Sequence, residues 1–118
     1  MIKSKRVYDV VLYGASGFVG RQTVAYFARH AGGLRWALAG RDERKLLQAR
    51  GDAKAGLIVA NAADDDTLAA LAAQTKVVLS TAGPFALYGS ALVAACVEHG
   101  THYCDITGET PWVREMID

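Results

Sequence analysis

Gly14, Gly17 and Gly20 follow a short apolar run (Val10, Val11, Leu12, Tyr13) and open an amphipathic segment. The order strand, glycine turn, helix is the context in which such glycines bind the pyrophosphate of a dinucleotide. Each glycine has a task. Gly14 lets the chain leave the strand sharply, Gly17 removes a side chain where an anion must approach the backbone, and Gly20 lets the helix lie close to the strand. The spacing is G-x-x-G-x-x-G, with Ala15 where the commonest fingerprint has its first glycine. Backbone N–H groups from Ser16 through Gly17 and Phe18 to Val19 are donors without helical partners, aimed at the anion. Ser16 adds a hydroxyl. The bland alternative is a glycine turn that only packs a helix.

About twenty residues further on, a site for NAD usually carries an acid that binds both ribose hydroxyls. Here the second strand ends Ala39-Gly40-Arg41. A guanidinium at Arg41 can stack on adenine and grip a 2′-phosphate, with Arg44 and Lys45 adding charge, so the residues favour NADP over NAD. Asp42 could still approach a ribose, and an ordinary solvated arginine is the plain reading of Arg41. Asn61 and Ala62 follow the third strand, where they border the adenine, although an asparagine-capped turn explains Asn61 equally well. Thr81, Ala82, Gly83, Pro84 and Phe85 lie at the carboxyl end of the fourth strand, beside the first. Open parallel sheets bind ligands at that switch point. Small residues leave room there for ribose and nicotinamide, and Phe85 and Tyr88 could wall the pocket. The competing reading is a strand-ending turn with core aromatics.

These residues need a scaffold, and the periodicity supplies one. Strands are expected at Val7–Tyr13, Arg35–Ala39, Leu57–Ala60, Val77–Thr81 and His102–Ile106. The first helix starts near Phe18, with Val19, Thr23, Val24, Phe27 and Ala28 on one face, and ends at Gly32-Gly33. Further helices are expected over Glu43–Ala49, from Asp64–Asp66 to Ala73, from Gly89 to His99, and from near Pro111. Alternation of this kind implies an α/β domain: a doubly wound parallel sheet of five strands in the order 3-2-1-4-5. The 118 residues suffice for one domain with a core. With 52% hydrophobic and 21% charged residues the chain is not of the disordered class. A net charge of +1 gives no broad footprint for nucleic acid or anionic membrane. Cys96 and Cys104 sit among apolar residues, so both are expected as buried, reduced thiols, and their spacing does not suit a metal. The basic start Met-Ile-Lys-Ser-Lys-Arg lacks the apolar core of a signal peptide, and a cytoplasmic location is expected.

Several segments together resemble the saccharopine dehydrogenase-like oxidoreductases. They are Gly14–Gly20, Ala39-Gly40-Arg41, Gly83-Pro84-Phe85 with Tyr88-Gly89, Cys96–Gly100, and Tyr103-Cys104-Asp105-Ile106-Thr107-Gly108-Glu109. The resemblance runs from about residue 7 to residue 118 and is strongest to the branch with the trans-acting enoyl reductases. It implies a Rossmann NAD(P)-binding domain over residues 1–118 in front of a larger substrate domain. Hydride transfer to a small-molecule substrate would then belong to the longer protein, with this piece alone inactive. A catalytic residue is not assigned. No tyrosine is followed by lysine at the fourth position, so the proton-transfer pair of short-chain dehydrogenases is missing. Asp105 and Glu109 could orient the nicotinamide ribose or transfer a proton, or simply cap the following turn and helix. Loss of a covering domain would expose the fifth-strand side, which leaves a homodimer open. The reading from a different class is a non-catalytic dinucleotide-sensing module, as in NmrA-like regulators.

Overall fold

Alternating apolar runs and capped helices build a parallel sheet covered on both faces. The computed structural model describes residues 6–83, 85–107 and 109–117. The elements are β1 (Tyr8–Tyr13), α1 (Phe18–His30), β2 (Trp36–Gly40), α2 (Glu43–Arg50), β3 (Gly56–Val59), α3 (Asp65–Gln74), β4 (Thr75–Ser80), α4 (Phe85–Tyr88), α5 (Ser90–His99), β5 (His102–Asp105) and α6 (Thr110–Ile117). The sheet runs β3-β2-β1-β4-β5, the expected order, and all neighbours are parallel.

Successive strand residues point to opposite faces, and both faces are dry. Leu12, Ala15, Val24, Trp36, Leu38 and Leu46 form the core beneath α1 and α2. Val11, Tyr13, Ala37, Ala39 and Val78 point the other way, onto Leu68 and Leu71 of α3 and Leu92 and Cys96 of α5. Leu12, Leu38 and Leu46 are fully buried, each worth about 1.5–3 kcal/mol relative to exposure. Register aligns the carboxyl ends: Tyr13 pairs with Ala39 on one side and Ser80 on the other, and Ser80 pairs with Asp105. Residues following β1, β2 and β4 therefore emerge along one crest.

Asp42 and Asp64 cap α2 and α3, accepting from the Lys45 and Asp66 amides. Glu43, Asp65 and Asp66 add negative charge to the first turns, where the helix dipole favours it.

Several sequence expectations shift. Val7 stays outside β1 and is exposed. β2 begins and ends one residue later than expected, β3 begins and ends one residue earlier, and β4 starts at Thr75. Of the expected apolar face of α1, Val24 is buried and Phe27 partly so, while Val19 and Ala28 face solvent and Gly20 takes the inner position. The helix crosses the sheet so closely at its start that only a glycine fits. Cys104 is exposed, against expectation, on the edge strand β5. Cys96 is buried as expected, and burial pushes its thiol up to about 11.

Arg6 staples this scaffold from below. Its guanidinium donates to the carbonyls of Ala72, Thr75 and His99 and to the Thr101 hydroxyl, at 2.6–2.9 Å. It thus joins the ends of α3 and α5 to the start of β4. Among the described residues no helix is long and apolar enough to cross a membrane.

Candidate functional site

The glycine turn leaves β1 with Gly14 at φ +82°, a conformation that L side chains avoid. The Gly14 and Ala15 amides both donate to the Ala39 carbonyl, at 2.9 and 3.3 Å, which ties the turn to the end of β2. Ala15 is fully buried. With its amide and methyl both engaged, Ala15 shapes the turn from below. A Cβ on Gly20 would overlap the Gly14 carbonyl oxygen and come within 2.8 Å of the Ala15 backbone. Gly20 is therefore needed for α1 to cross the turn at all.

Gly17 is different. Its backbone is extended, at φ −77° and ψ 177°, and a Cβ there would meet only the Gly14 carbonyl oxygen, at an ordinary 3.4 Å. The residue is exposed and caps α1 without a side chain, and the first turn of α1 carries no acid. The first helical bond is Arg21 N–H to Gly17 O, 2.9 Å. The N–H groups of Phe18, Val19 and Gly20 thus lack helical acceptors. Ser16 is half-buried at the rim, and Phe18 and Val19 show their side chains to solvent. The result is an uncapped positive helix end with open space over Gly17, a fit for a phosphate oxygen.

Arg41 stands exposed after β2, close enough to the Tyr13 phenol for its charge to oppose the upward push of burial on that group. The Asp42 Oδ1 accepts from the Lys45 amide, 3.2 Å, as the cap of α2. Between α1 and α2 lies a hollow of about 340 Å3 lined by Ser16, Arg21, Lys45, Gln48 and Ala49. Two cations and a hydroxyl converge there. The sequence reading found Ser16 and Lys45 but missed Arg21, whose signal was its place one helical turn after Gly17. Arg41 lies outside the residues that line this hollow.

After β3, Asn61 makes the capped turn: its Oδ1 accepts from Ala63 N–H, 2.8 Å. That bond uses the carbonyl oxygen and not the amide nitrogen. Ala62 beside it is half-buried.

The segment after β4 is fastened to the glycine turn. Thr81 N–H donates to Tyr13 O at 2.9 Å, and its hydroxyl lies 3.3 and 3.2 Å from the Tyr13 and Gly14 carbonyl oxygens. A side chain on Gly14 would strike Ala82 at 2.9 Å, so the two loops are in direct contact. Gly83 is exposed, and Pro84 lies outside the described residues. Phe85 follows the second of the two expected arrangements, that of a core aromatic. Its ring is buried and stacks on Trp112 of α6, with centroids 5.6 Å apart, so it is a core contact and not a wall of an open pocket. The sequence showed Phe85 beside a strand end but not the indole that covers it. Tyr88 remains exposed.

Asp105 at the end of β5 and Glu109 after it divide their work. Asp105 accepts from Thr107 N–H (3.1 Å) and from the Tyr103 hydroxyl (2.7 Å), so it closes its own turn. Burial first, and then this bond and the carboxylate's charge, hold the Tyr103 phenol far above its ordinary range. Glu109 instead reaches across to the segment after β4, where its Oε2 accepts from Phe85 N–H at 2.6 Å. Gly108 between them lies outside the described residues.

Comparison with known proteins bears on the family and the fold. Residues 10–117 match the family model of the saccharopine dehydrogenase NADP binding domain. A trans-acting enoyl reductase of Mycobacterium leprae is 45% identical over 125 residues, covering all of this chain and 29% of that protein. One from Mycobacterium bovis is 44% identical over 123 residues with the same coverage. The chain thus spans less than a third of these relatives. Among solved structures, saccharopine dehydrogenase (L-Glu forming) from Saccharomyces cerevisiae superposes with a TM-score of 0.79 at 21% identity, over 92% of this chain and 24% of that one. A short-chain dehydrogenase/reductase from Veillonella parvula in complex with NADP gives 0.72 at 13% identity, over 92% and 56%. At such identities these structures share the fold.

Proposed function

This chain belongs to the saccharopine dehydrogenase NADP-binding domain family, and we propose that it holds NADP(H) along the crest for an oxidoreductase whose substrate site lies elsewhere in the longer protein. The observation that carries this reading is the open space over Gly17 in front of the free N–H groups of Phe18–Gly20. The pyrophosphate rests there, with the Ser16 hydroxyl as a further donor.

The 2′-phosphate falls to Arg41 together with Lys45 and Arg21. Arg41 supplies a planar cation at the end of β2, and the other two supply charge in the hollow beside Ser16. Asn61 and Ala62 border the adenine. Thr81, Ala82 and Gly83 leave a side-chain-poor path for ribose and nicotinamide, while Phe85 anchors that path from beneath. NADP, when bound, supplies the hydride-carrying chemistry; the residues here orient it. On this reading the chain alone binds cofactor without useful turnover, because the substrate site belongs to the longer protein.

Calorimetric titration tests the reading. NADPH binds more tightly than NADH, and Arg41→Ala or Lys45→Ala weakens NADPH by about 1–3 kcal/mol, the scale of a hydrogen bond to a charged group, with little change for NADH. Equal affinity for the two cofactors in the wild type, or a preference for NADH, overturns the phosphate assignment.

A further inference from the structure

We propose that Glu109 is a positioning residue for the nicotinamide half of the site, acting through the Phe85 amide to hold Thr81, Ala82 and Gly83 against the glycine turn. The inference rests on the cofactor reading above and adds to it how that half of the crest is kept in place.

An acid just before a helix ordinarily caps that helix. Glu109 precedes α6, and its backbone carbonyl accepts from Val113 N–H, 3.0 Å, in the usual way. Its carboxylate serves a different element. The 2.6 Å bond to Phe85 N–H joins residues 24 apart in sequence and satisfies an amide at the start of α4. Hydrogen bonds from an amide to a carboxylate are short and about twice as strong as neutral ones.

Glu109 is itself supported by its neighbours. Its amide donates to the Thr107 hydroxyl at 3.0 Å, and the Thr107 amide donates to Asp105 at 3.1 Å, so the loop after β5 is braced from within. Trp112, one turn into α6, stacks on Phe85 and donates to the Ser90 hydroxyl at 2.9 Å. The segment after β4 is therefore pinned at both ends. Thr81 fastens it to Tyr13 and Gly14, and Phe85 fastens it to Glu109. Between those pins Ala82 and Gly83 carry little side chain, and the Ala82 amide donates to the Ser80 hydroxyl at 3.3 Å.

The test pairs a ligand-free readout with two ligands. Amide hydrogen exchange at Phe85 reports the clamp directly. NADPH reports the whole site, and adenosine 2′,5′-bisphosphate, which lacks the nicotinamide half, reports the rest. In Glu109→Ala, Phe85 loses protection and NADPH binds about tenfold more weakly, the equivalent of one charge-assisted hydrogen bond. Affinity for the bisphosphate is unchanged. Glu109→Gln keeps an acceptor oxygen and recovers most of the NADPH affinity. Should Glu109→Ala not fold, Glu109→Gln carries the test with a smaller loss in the same direction. Unchanged protection at Phe85, or an equal loss for both ligands, overturns the clamp. A wild type that binds neither ligand overturns the cofactor reading and this proposal with it. That result is distinct from failure of the clamp alone, in which wild type and variant bind NADPH equally.

Discussion

Replacing Gly17 with alanine separates the ligand's need for space from the fold's. The added Cβ meets only the Gly14 carbonyl oxygen at 3.4 Å, and the extended backbone at φ −77° suits any residue. Alanine restricts the unfolded chain, a gain of about 0.4–1 kcal/mol. It is also a poorer helix cap than glycine, a loss of similar size, about 1 kcal/mol. The two nearly cancel, so the melting temperature moves by no more than about 4 °C. Binding responds otherwise, because the methyl stands where a phosphate oxygen must approach the helix N–H groups. Loss of one such charged hydrogen bond, about 1.5–3 kcal/mol, weakens NADPH roughly 10- to 100-fold. Gly20→Ala is the opposite case. Its Cβ would press into backbone atoms of Gly14 and Ala15, which have no flexible end to move aside. Overpacking of that kind destabilises by about 1–3 kcal/mol. Scanning calorimetry of both variants with NADPH titrations checks the pair. Gly17→Ala binding NADPH like the wild type would refute the pyrophosphate assignment. Gly17→Ala melting as early as Gly20→Ala would refute the geometry.

Arg6→Ala leaves the carbonyls of Ala72, Thr75 and His99 without their guanidinium, and stability falls by about 2–4 kcal/mol in denaturant unfolding. An effect no larger than that of an exposed arginine would contradict the staple. Asp9 is bonded to Arg35 and Lys76, and the Arg35 side chain foremost holds its carboxyl well below the ordinary carboxylate range. The folded value is depressed, so this stabilisation is present above the unfolded value of about 4 and is lost as pH falls below it. The melting-temperature gap between wild type and Asp9→Asn therefore shrinks in acid, and a gap constant with pH counts against the pairing. Cys96 is buried with its thiol at about 11, so it resists alkylation in the native state, while the exposed Cys104 is modified. Mass spectrometry after brief iodoacetamide treatment distinguishes the two, and equal labelling would refute the burial pattern. A raised thiol value also means that the contribution of Cys96 to stability fades as pH climbs from about 8.5 toward about 11.

Legibility in the sequence followed the range of the interactions. Gly14, Gly17 and Gly20 were readable because a turn needing positive φ and a close helix approach leave local marks. The strand order was readable because apolar runs alternating with helices leave few right-handed arrangements. Contacts between distant segments left no such mark. Nothing around Phe85 announced Trp112 as its cover, and nothing around Glu109 announced the Phe85 amide as its partner. Arg21 looked like one more exposed helix residue until Lys45 stood across the hollow from it. Thr75 is the buried start of β4, paired with Tyr8 in the sheet, and its carbonyl accepts from Arg6, 69 positions away. Cys104, apolar in its neighbourhood along the chain, came to lie exposed on an edge strand.

The sequence by itself determined a doubly wound sheet, a glycine turn between β1 and α1, and a cationic end to β2, and its motifs pointed to the family. Those properties reside in residue type and short-range spacing, which steric preference and hydrophobic periodicity translate directly. Only the tertiary structure decided which glycine the packing requires and which has room for a side chain. It also decided which aromatic is core, and which acid braces its own turn while the other reaches across the crest. Such distinctions depend on what lies a few ångströms away through space, and the chain brings those neighbours together only once the sheet has closed its register.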